Sequence, residues 1–204
     1  MLEEITIQIA TTTWVEWLGT ISGIIGVWLS IKEKIAAWPL FITCYGAYIA
    51  LSWQAGLHGA LMMNAVFVAL SLYGWLSWSK TADTVSTAVR VGRTPPGKLF
   101  IALGIWAAGT VGLGYFLANQ TGAYRPYLDA FASCGGFVAQ WMLSRKYIET
   151  WICWTISDLI FIGLWLSQGY WLTVGLFLVF IGMAVKGWAE WSGLLKAPAP
   201  DTAS

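Results

Sequence analysis

The chain of 204 residues has few charged side chains, which make up only 10% of it. Soluble domains carry about 25% charged residues, so this composition excludes an ordinary soluble protein. With 58% apolar residues, the sequence is typical of a protein embedded in a lipid bilayer. A net charge of +1 also argues against nucleic-acid binding, because that function needs a strongly basic surface.

Residues that bind metals or catalyse reactions are also scarce. There is one histidine, and the three cysteines lie inside apolar runs without the spacing of metal ligands. We interpret these cysteines as small packing residues. The sequence has no glycine-rich phosphate loop, no nucleophile elbow and no zinc-protease motif. We therefore predict that the protein is not an enzyme and has no catalytic residues, metal site or cofactor.

Long apolar stretches, by contrast, are abundant. A helix that spans a bilayer needs roughly 20 mostly apolar residues. Seven windows meet this requirement: Trp14–Ile31, Ile35–Gln54, Leu57–Trp78, Leu99–Ala118, Tyr127–Ser144, Ile148–Gln168 and Trp171–Trp191. We therefore predict an all-α integral membrane protein with seven transmembrane helices.

One polar segment divides the predicted helices into two groups. Residues 79–98 contain Pro95 and Pro96 and form the only long connection between windows. The first segment, 1–13, lacks the basic region of a signal peptide, so we expect it to remain attached. We predict six divisions of the chain. They are an N-terminal segment (1–13), a three-helix repeat (14–78), a linker (79–98), a linker helix (99–118), a second three-helix repeat (119–191) and a flexible tail (192–204).

Basic residues predict the orientation of the chain. All lysines and arginines except Arg125 fall on one side of the predicted helices. The cytoplasmic loops of membrane proteins carry the excess of lysine and arginine. We therefore expect the linker and the tail to lie in the cytoplasm and segment 1–13 to lie outside.

The chain also matches itself when it is shifted by 113 residues. Four pairs of tryptophans coincide in this register: Trp28 and Trp141, Trp38 and Trp151, Trp75 and Trp188, Trp78 and Trp191. Since an even number of helices separates the copies, both cross the membrane in the same direction, which predicts a 3+1+3 parallel repeat. Such repeats occur in secondary transporters, which bind substrate near the midplane between the repeats. A duplicated structural bundle without a transport pathway is the alternative.

A single carboxylate, Asp158, interrupts the sixth apolar window. A charge near the bilayer midplane costs at least about 2.5 kcal/mol, so such residues usually have a partner, often a substrate or an ion. Four aromatic residues flank it on the same helix face, at steps of three and four: Trp151, Trp154, Phe161 and Trp165. Aromatic rings and a carboxylate together suit a flat organic cation. The alternative is that the rings face lipid or fill the core and that Asp158 is paired or protonated.

The equivalent part of the first repeat carries other candidate binding residues. They are Trp38, Cys44, Tyr45 and Tyr48. The 113-residue shift places Tyr45 opposite Asp158, so we predict an asymmetric site. On the third helix, Asn64 can donate and accept hydrogen bonds, and its repeat mate is Phe177. A hydrogen bond between helices is the alternative role for Asn64.

Two acidic residues, Glu16 and Asp129, occupy equivalent positions near the starts of the first and fifth windows. A carboxylate in the first turn of a helix satisfies free backbone N–H groups and interacts favourably with the helix dipole. We therefore predict a structural role for both residues.

Several motifs resemble the Pnu family of bacterial vitamin transporters. They are the stretches Trp14–Gly23, Leu72–Trp78, Tyr127–Asp129 and Arg145–Trp154. The resemblance extends over nearly the whole chain. It implies a fold like that of the SWEET sugar transporters, located in the bacterial inner membrane. It also implies a homotrimer that carries a vitamin by facilitated diffusion, after which a cytosolic kinase traps the vitamin by phosphorylation.

The branches of this family carry nicotinamide riboside, thiamine or riboflavin. The PnuC-like nicotinamide riboside branch has amide side chains where this chain has Cys44 and Asp158, and a polar residue where it has Leu176 or Phe177. Since the aminopyrimidine edge of thiamine pairs with a carboxyl group, we predict thiamine, as in the PnuT branch. Nicotinamide riboside and riboflavin are the alternatives within the family. We also consider an alternative from another functional class. It is a proton-coupled exporter or a membrane receptor in which Asp158 is the titrating group.

Overall fold

The computed structural model of the protein describes residues 2–82, 90–121 and 124–196. Within these ranges the secondary structure is helical, with one isolated bridge between Gly92 and Tyr147. This confirms the prediction of an all-α protein. Parts of the predicted linker and tail, 83–89 and 197–204, lie outside the described residues. The helices are α1 (Leu2–Thr11), α2 (Trp14–Ile31), α3 (Ala37–Gln54), α4 (His58–Ala82), α5 (Pro96–Gln120), α6 (Pro126–Ser144), α7 (Thr150–Leu166) and α8 (Trp171–Lys196).

Each of the seven predicted windows falls on one of the helices α2 to α8. Among the described residues, four helical segments are long and apolar enough to cross a membrane, and α7 is a shorter apolar helix. Those four segments are Trp14–Ile31, Gly59–Lys80, Pro96–Gln120 and Trp171–Lys196. The helix α1 has no counterpart among the predicted windows.

The side chain of Gln8 connects α1 with the start of α8. The amide nitrogen of Gln8 donates to the carbonyl oxygen of Gly169 at 3.0 Å, and its oxygen accepts from the backbone N–H of Leu172 at 3.0 Å. The first N–H groups of a helix have no partner within that helix. The side chain of Gln8 therefore supplies a hydrogen-bond acceptor to one of these free N–H groups, that of Leu172, from a distant part of the chain.

The two acidic residues near helix starts differ in their contacts. Glu16 forms a capping box with Thr13, in which each side chain accepts a hydrogen bond from the backbone of the other. This confirms the capping role predicted for Glu16. Asp129 also lies in a first turn, but its described hydrogen bond comes from the hydroxyl of Ser133 at 3.2 Å rather than from a backbone N–H. The first-turn position predicted for Asp129 is therefore confirmed, whereas the predicted hydrogen bond from a backbone N–H is not made among the described residues.

Equivalent tryptophans pack in equivalent ways. The ring of Trp38 lies so close to Gly74 that a Cβ there would overlap it, and it meets Trp78 edge-on at 5.2 Å. The same arrangement recurs 113 residues later, among Trp151, Gly187 and Trp191. In each case a glycine makes room for a tryptophan on the preceding helix: Gly74 on α4 for Trp38 on α3, and Gly187 on α8 for Trp151 on α7.

Two indole hydrogen bonds connect the first group of helices, α2 to α4, with the second group, α6 to α8. The Nε1 of Trp78 donates to the carbonyl oxygen of Ser144 at 3.2 Å. The Nε1 of Trp191 donates to the carbonyl oxygen of Ile31 at 3.0 Å. Both acceptors are the last residues of their helices, where carbonyl groups lack an intrahelical partner. The tryptophans therefore join the two groups at one end of the bundle.

Basic loops lie at this same end, which we call the basic end. It contains the loops between α2 and α3 and between α6 and α7, with Lys32, Lys34, Arg145 and Lys146. Glu33 and Lys146, which are 113 residues apart, form an ion pair of 2.7 Å there. Both residues have a left-handed backbone, with φ of 54° and 53°. Residues at equivalent positions of the two groups thus face each other.

The segment before α5 is attached to the loop between α6 and α7. Gly92 exchanges backbone hydrogen bonds with Lys146 and Ile148, at 3.0 and 2.9 Å. The backbone N–H and the hydroxyl of Thr94 both donate to the carboxylate of Glu149, at 2.9 and 2.7 Å. This part of the predicted linker is therefore docked on the second group of helices, to which α5 also packs through α6.

Candidate functional site

A cavity of about 380 Å³ lies between the two groups of helices. Helices α2, α3, α4, α6, α7 and α8 contribute to its walls, which are mostly apolar. Every predicted binding residue except Trp38 lines it: Cys44, Tyr45, Tyr48, Asn64, Trp151, Trp154, Asp158, Phe161, Trp165 and Phe177. Trp38 is instead fully buried in the packing against Gly74, so its predicted place in the site is corrected.

Glycines of α2 bring the cavity-lining face of α3 into position. A Cβ on Gly19 would lie 3.2 Å from the ring of Tyr48, and one on Gly23 would lie 3.1 Å from the sulfur of Cys44. Small residues allow two membrane helices to approach closely. The hydroxyl groups of Tyr48 and Thr20 then form a hydrogen bond of 3.2 Å. The position of α3 at the cavity therefore depends on the absence of side chains on α2.

One face of α7 forms the opposite wall of the cavity. Residues at steps of three and four along α7 all line the cavity: Trp151, Trp154, Asp158, Phe161 and Trp165. Residues with this spacing lie on the same side of an α-helix. This confirms the prediction that these five residues share a helix face.

Aromatic rings inside the cavity lie nearly parallel to one another. Tyr45 and Phe67 stack with centroids 4.7 Å apart, and Phe67 and Trp154 with centroids 6.2 Å apart. Phe161 and Phe177 form a further stacked pair, at 5.3 Å. These rings offer flat apolar faces on which a planar molecule stacks. Phe67 was not predicted as a binding residue, because its apolar neighbours along the chain do not distinguish a cavity ring from one that faces lipid.

Asp158 is the only charged side chain among the described residues that line the cavity. Its exposed fraction is 4%, and no described residue gives it a hydrogen bond or an ion pair. An isolated charge in an apolar environment is costly. A cation that enters the cavity would supply the missing partner. The described residues contain no group of three or more potential ligands that could hold a metal ion.

Asn64 presents an amide to the other side of the cavity. Its nitrogen donates to the carbonyl oxygen of Ala60, one turn earlier in α4, at 2.8 Å. The described hydrogen bond is thus within one helix rather than between helices. The carbonyl oxygen of Asn64 remains available to accept a hydrogen bond.

A second amide, Gln140 on α6, also lines the cavity and was not predicted as a binding residue. Its side chain is fully buried, and its nitrogen donates to the hydroxyl of Ser71 on α4 at 3.1 Å. Its oxygen has no hydrogen-bond partner within the described residues. The sequence feature that could have indicated this residue is its position as a lone amide within the apolar part of α6.

Comparisons with known proteins bear on this site. A family model described as nicotinamide mononucleotide transporter matches residues 13–193. The chain is 25% identical over 190 residues to the riboflavin/roseoflavin transporter RibM of Streptomyces davaonensis, covering 87% of this chain and 84% of RibM. It is 22% identical over 204 residues to the nicotinamide riboside transporter PnuC of Escherichia coli, covering 88% of this chain and 85% of PnuC.

A solved structure shares the fold. The crystal structure of the vitamin B3 transporter PnuC superimposes with a TM-score of 0.74 at 21% sequence identity. The match covers 95% of this chain and 87% of that one. The shared fold therefore includes both groups of helices.

Proposed function

Because the chain belongs to the nicotinamide mononucleotide transporter family, we propose that it carries a water-soluble vitamin across the bacterial inner membrane by facilitated diffusion. The protein is a membrane transporter and not an enzyme. The observation that carries the proposal is the isolated carboxylate of Asp158 in a cavity with aromatic walls. A flat cation satisfies both features, because the rings stack on it and the carboxylate balances its charge.

Thiamine is the cargo that we favour. It carries a positive charge on one ring and an aminopyrimidine edge on the other, and that edge pairs with a carboxyl group. In this assignment Asp158 holds the cation or the aminopyrimidine, Trp154, Phe161 and Phe177 stack on the rings, and Asn64 accepts a hydrogen bond. The remaining predicted residues complete the walls: Cys44, Tyr45, Tyr48, Trp151 and Trp165.

Nicotinamide riboside is the second candidate. It is also a flat cation, and it is the cargo named for the PnuC relative from Escherichia coli. Riboflavin, which is named for RibM, is the third candidate. Small-molecule sites have volumes of about 300 to 1,000 Å³, so a cavity of about 380 Å³ is large enough for a small organic cargo.

The transport cycle that we propose is alternating access between two three-helix repeats. Its support is the recurrence of the tryptophan–glycine packing at a spacing of 113 residues. We propose seven membrane crossings in a 3+1+3 arrangement of the SWEET type, with the N-terminus outside and the basic end in the cytoplasm. The indole hydrogen bonds and the ion pair between Glu33 and Lys146 close the basic end and must separate before cargo leaves.

Competition binding and vesicle uptake test this function together. Thiamine, nicotinamide riboside and riboflavin are titrated into the purified protein, and we expect thiamine to bind most tightly. Uptake of the bound vitamin into vesicles should be the same with and without a pH gradient. A steep dependence on the gradient would instead support a proton-coupled transporter with Asp158 as its titrating group.

A further inference from the structure

We propose that Gln140 is a second residue that recognises the cargo, accepting a hydrogen bond from an N–H or O–H group at the basic end of the cavity. Ser71 is its positioning residue. This inference rests on the proposed function, since it concerns the same cavity. It assigns the polar recognition of the cargo to α6 and α4 as well as to α7.

Two consecutive hydrogen bonds fix which end of the Gln140 amide faces Ser71. The hydroxyl of Ser71 donates its only hydrogen to the carbonyl oxygen of Phe67, at 2.7 Å. Toward Gln140 the hydroxyl can therefore only accept, and the amide group nearest to it, at 3.1 Å, must be the nitrogen. The oxygen of Gln140 consequently points away from Ser71 as a fixed acceptor.

That oxygen is buried without a hydrogen-bond partner among the described residues. Buried polar groups of native proteins nearly always have a partner, so an exception calls for an explanation. Gln140 lines the cavity, but its oxygen has almost no accessible surface, so the cargo reaches it by displacing the side chains that cover it. A cargo donor would satisfy it, whereas a cargo without a donor at this point would leave it unpaired.

Gln140 and Asp158 lie at different depths. Gln140 is about one turn from the end of α6 at Ser144, and Asp158 is about two turns from the start of α7 at Thr150. At about 5.4 Å per turn, Asp158 is therefore roughly 5 Å farther from the basic end. The two polar groups suit a cargo with a cationic or amidine-like part at one end and a hydrogen-bond donor at the other.

The first group of helices does not repeat this feature. The residues 113 positions from Gln140 and Ser71 are Val27 and Ala184, which also line the cavity but are apolar. The cavity therefore offers a fixed acceptor on one wall and an apolar surface on the equivalent wall. This difference selects one orientation of the cargo out of the two that a symmetric cavity would allow.

The test is the binding of thiamine, nicotinamide riboside and riboflavin to Gln140→Met, measured by calorimetry on the full chain. Methionine has a similar length but lacks the amide. We expect the vitamin that binds the unmodified protein to bind Gln140→Met about 10-fold more weakly, which corresponds to one lost hydrogen bond. The same substitution at Gln120, which is exposed on α5, should leave the affinity unchanged.

Thermal unfolding separates recognition from a purely structural role. Replacing both partners of a buried polar pair by apolar groups is often neutral or stabilising. We therefore expect the cargo-free double variant Gln140→Met/Ser71→Ala to unfold at the same temperature as the unmodified protein or higher. An unchanged affinity together with a lower unfolding temperature would overturn the inference.

The outcome also distinguishes this inference from the proposed cargo. If nicotinamide riboside binds instead of thiamine and Gln140→Met weakens it, the role of Gln140 is supported and thiamine is rejected. If Asp158→Asn weakens thiamine binding while Gln140→Met binds it normally, the proposed function is supported and the role of Gln140 is rejected.

Discussion

Gly74 shows how much depends on a missing side chain. The ring of Trp38 occupies the space that a Cβ at Gly74 would need, and the ring has no room to move because it also meets Trp78. We expect Gly74→Ala to lower the stability by about 1–3 kcal/mol, as overpacking does in tight interiors. Thermal unfolding in detergent measures this loss. Gly46→Ala is the control, since its Cβ would meet open space and the unfolding temperature should not fall.

Single residues also show what the sequence could and could not predict. The face of α7 around Asp158 was predictable, because steps of three and four residues fix which side chains share a helix face. Trp38 was wrongly predicted to line the cavity because it is equivalent to Trp151 under the 113-residue shift. Of the two tryptophans, only Trp151 lines the cavity. Gln140 was missed because its significance depends on Ser71, which lies on another helix.

At the scale of elements, the loops between α2 and α3 and between α6 and α7 meet through Glu33 and Lys146. Glu33 and Lys146 occupy equivalent positions in the two groups of helices. If the two groups had identical sequences, two like charges would meet here, whereas Glu33 and Lys146 attract each other. Both side chains are largely buried, with exposed fractions of 28% and 12%. We expect Glu33→Lys to cost about 1–3 kcal/mol and to reduce vitamin uptake, because the reversed charge leaves Lys146 unpaired and repelled.

The double variant Glu33→Lys/Lys146→Glu restores the attraction and should recover most of the lost stability and uptake. Glu190→Lys is a control at the more exposed pair with Lys32, where reversal should cost at most about 1 kcal/mol. A double variant as impaired as Glu33→Lys alone would show that the pair does not hold the loops together.

The helices themselves were more predictable than their attachments. Apolar runs of sufficient length predicted α2 to α8, because burial of backbone groups in lipid requires helices. The short helix α1 and the segment around Gly92 were not predicted as docked elements. Their positions depend on a few hydrogen bonds, made by Gln8 and Thr94 to distant parts of the chain, and such contacts leave no periodic pattern.

At the scale of the whole molecule, the distribution of charge predicts the orientation in the membrane. The three native cysteines are buried, so introduced cysteines report on their own positions with little background. We expect a membrane-impermeant maleimide to label Gln120→Cys in intact cells and to label Arg90→Cys only after permeabilisation. Both positions are exposed and lie at opposite ends of the bundle. The reverse labelling pattern would contradict the proposed orientation, and the unmodified protein gives the background.

The most direct measurement of the central claim is thiamine binding to Asp158→Asn, determined by calorimetry on the purified protein. A hydrogen bond to a charged group contributes about 1.5–3 kcal/mol, so we expect thiamine to bind this variant at least about 10-fold more weakly than the unmodified protein. Asp129→Asn makes the same change outside the cavity lining and should bind thiamine normally. If Asp158→Asn binds thiamine as tightly as the unmodified protein does, the carboxylate does not recognise the cargo and the account is contradicted.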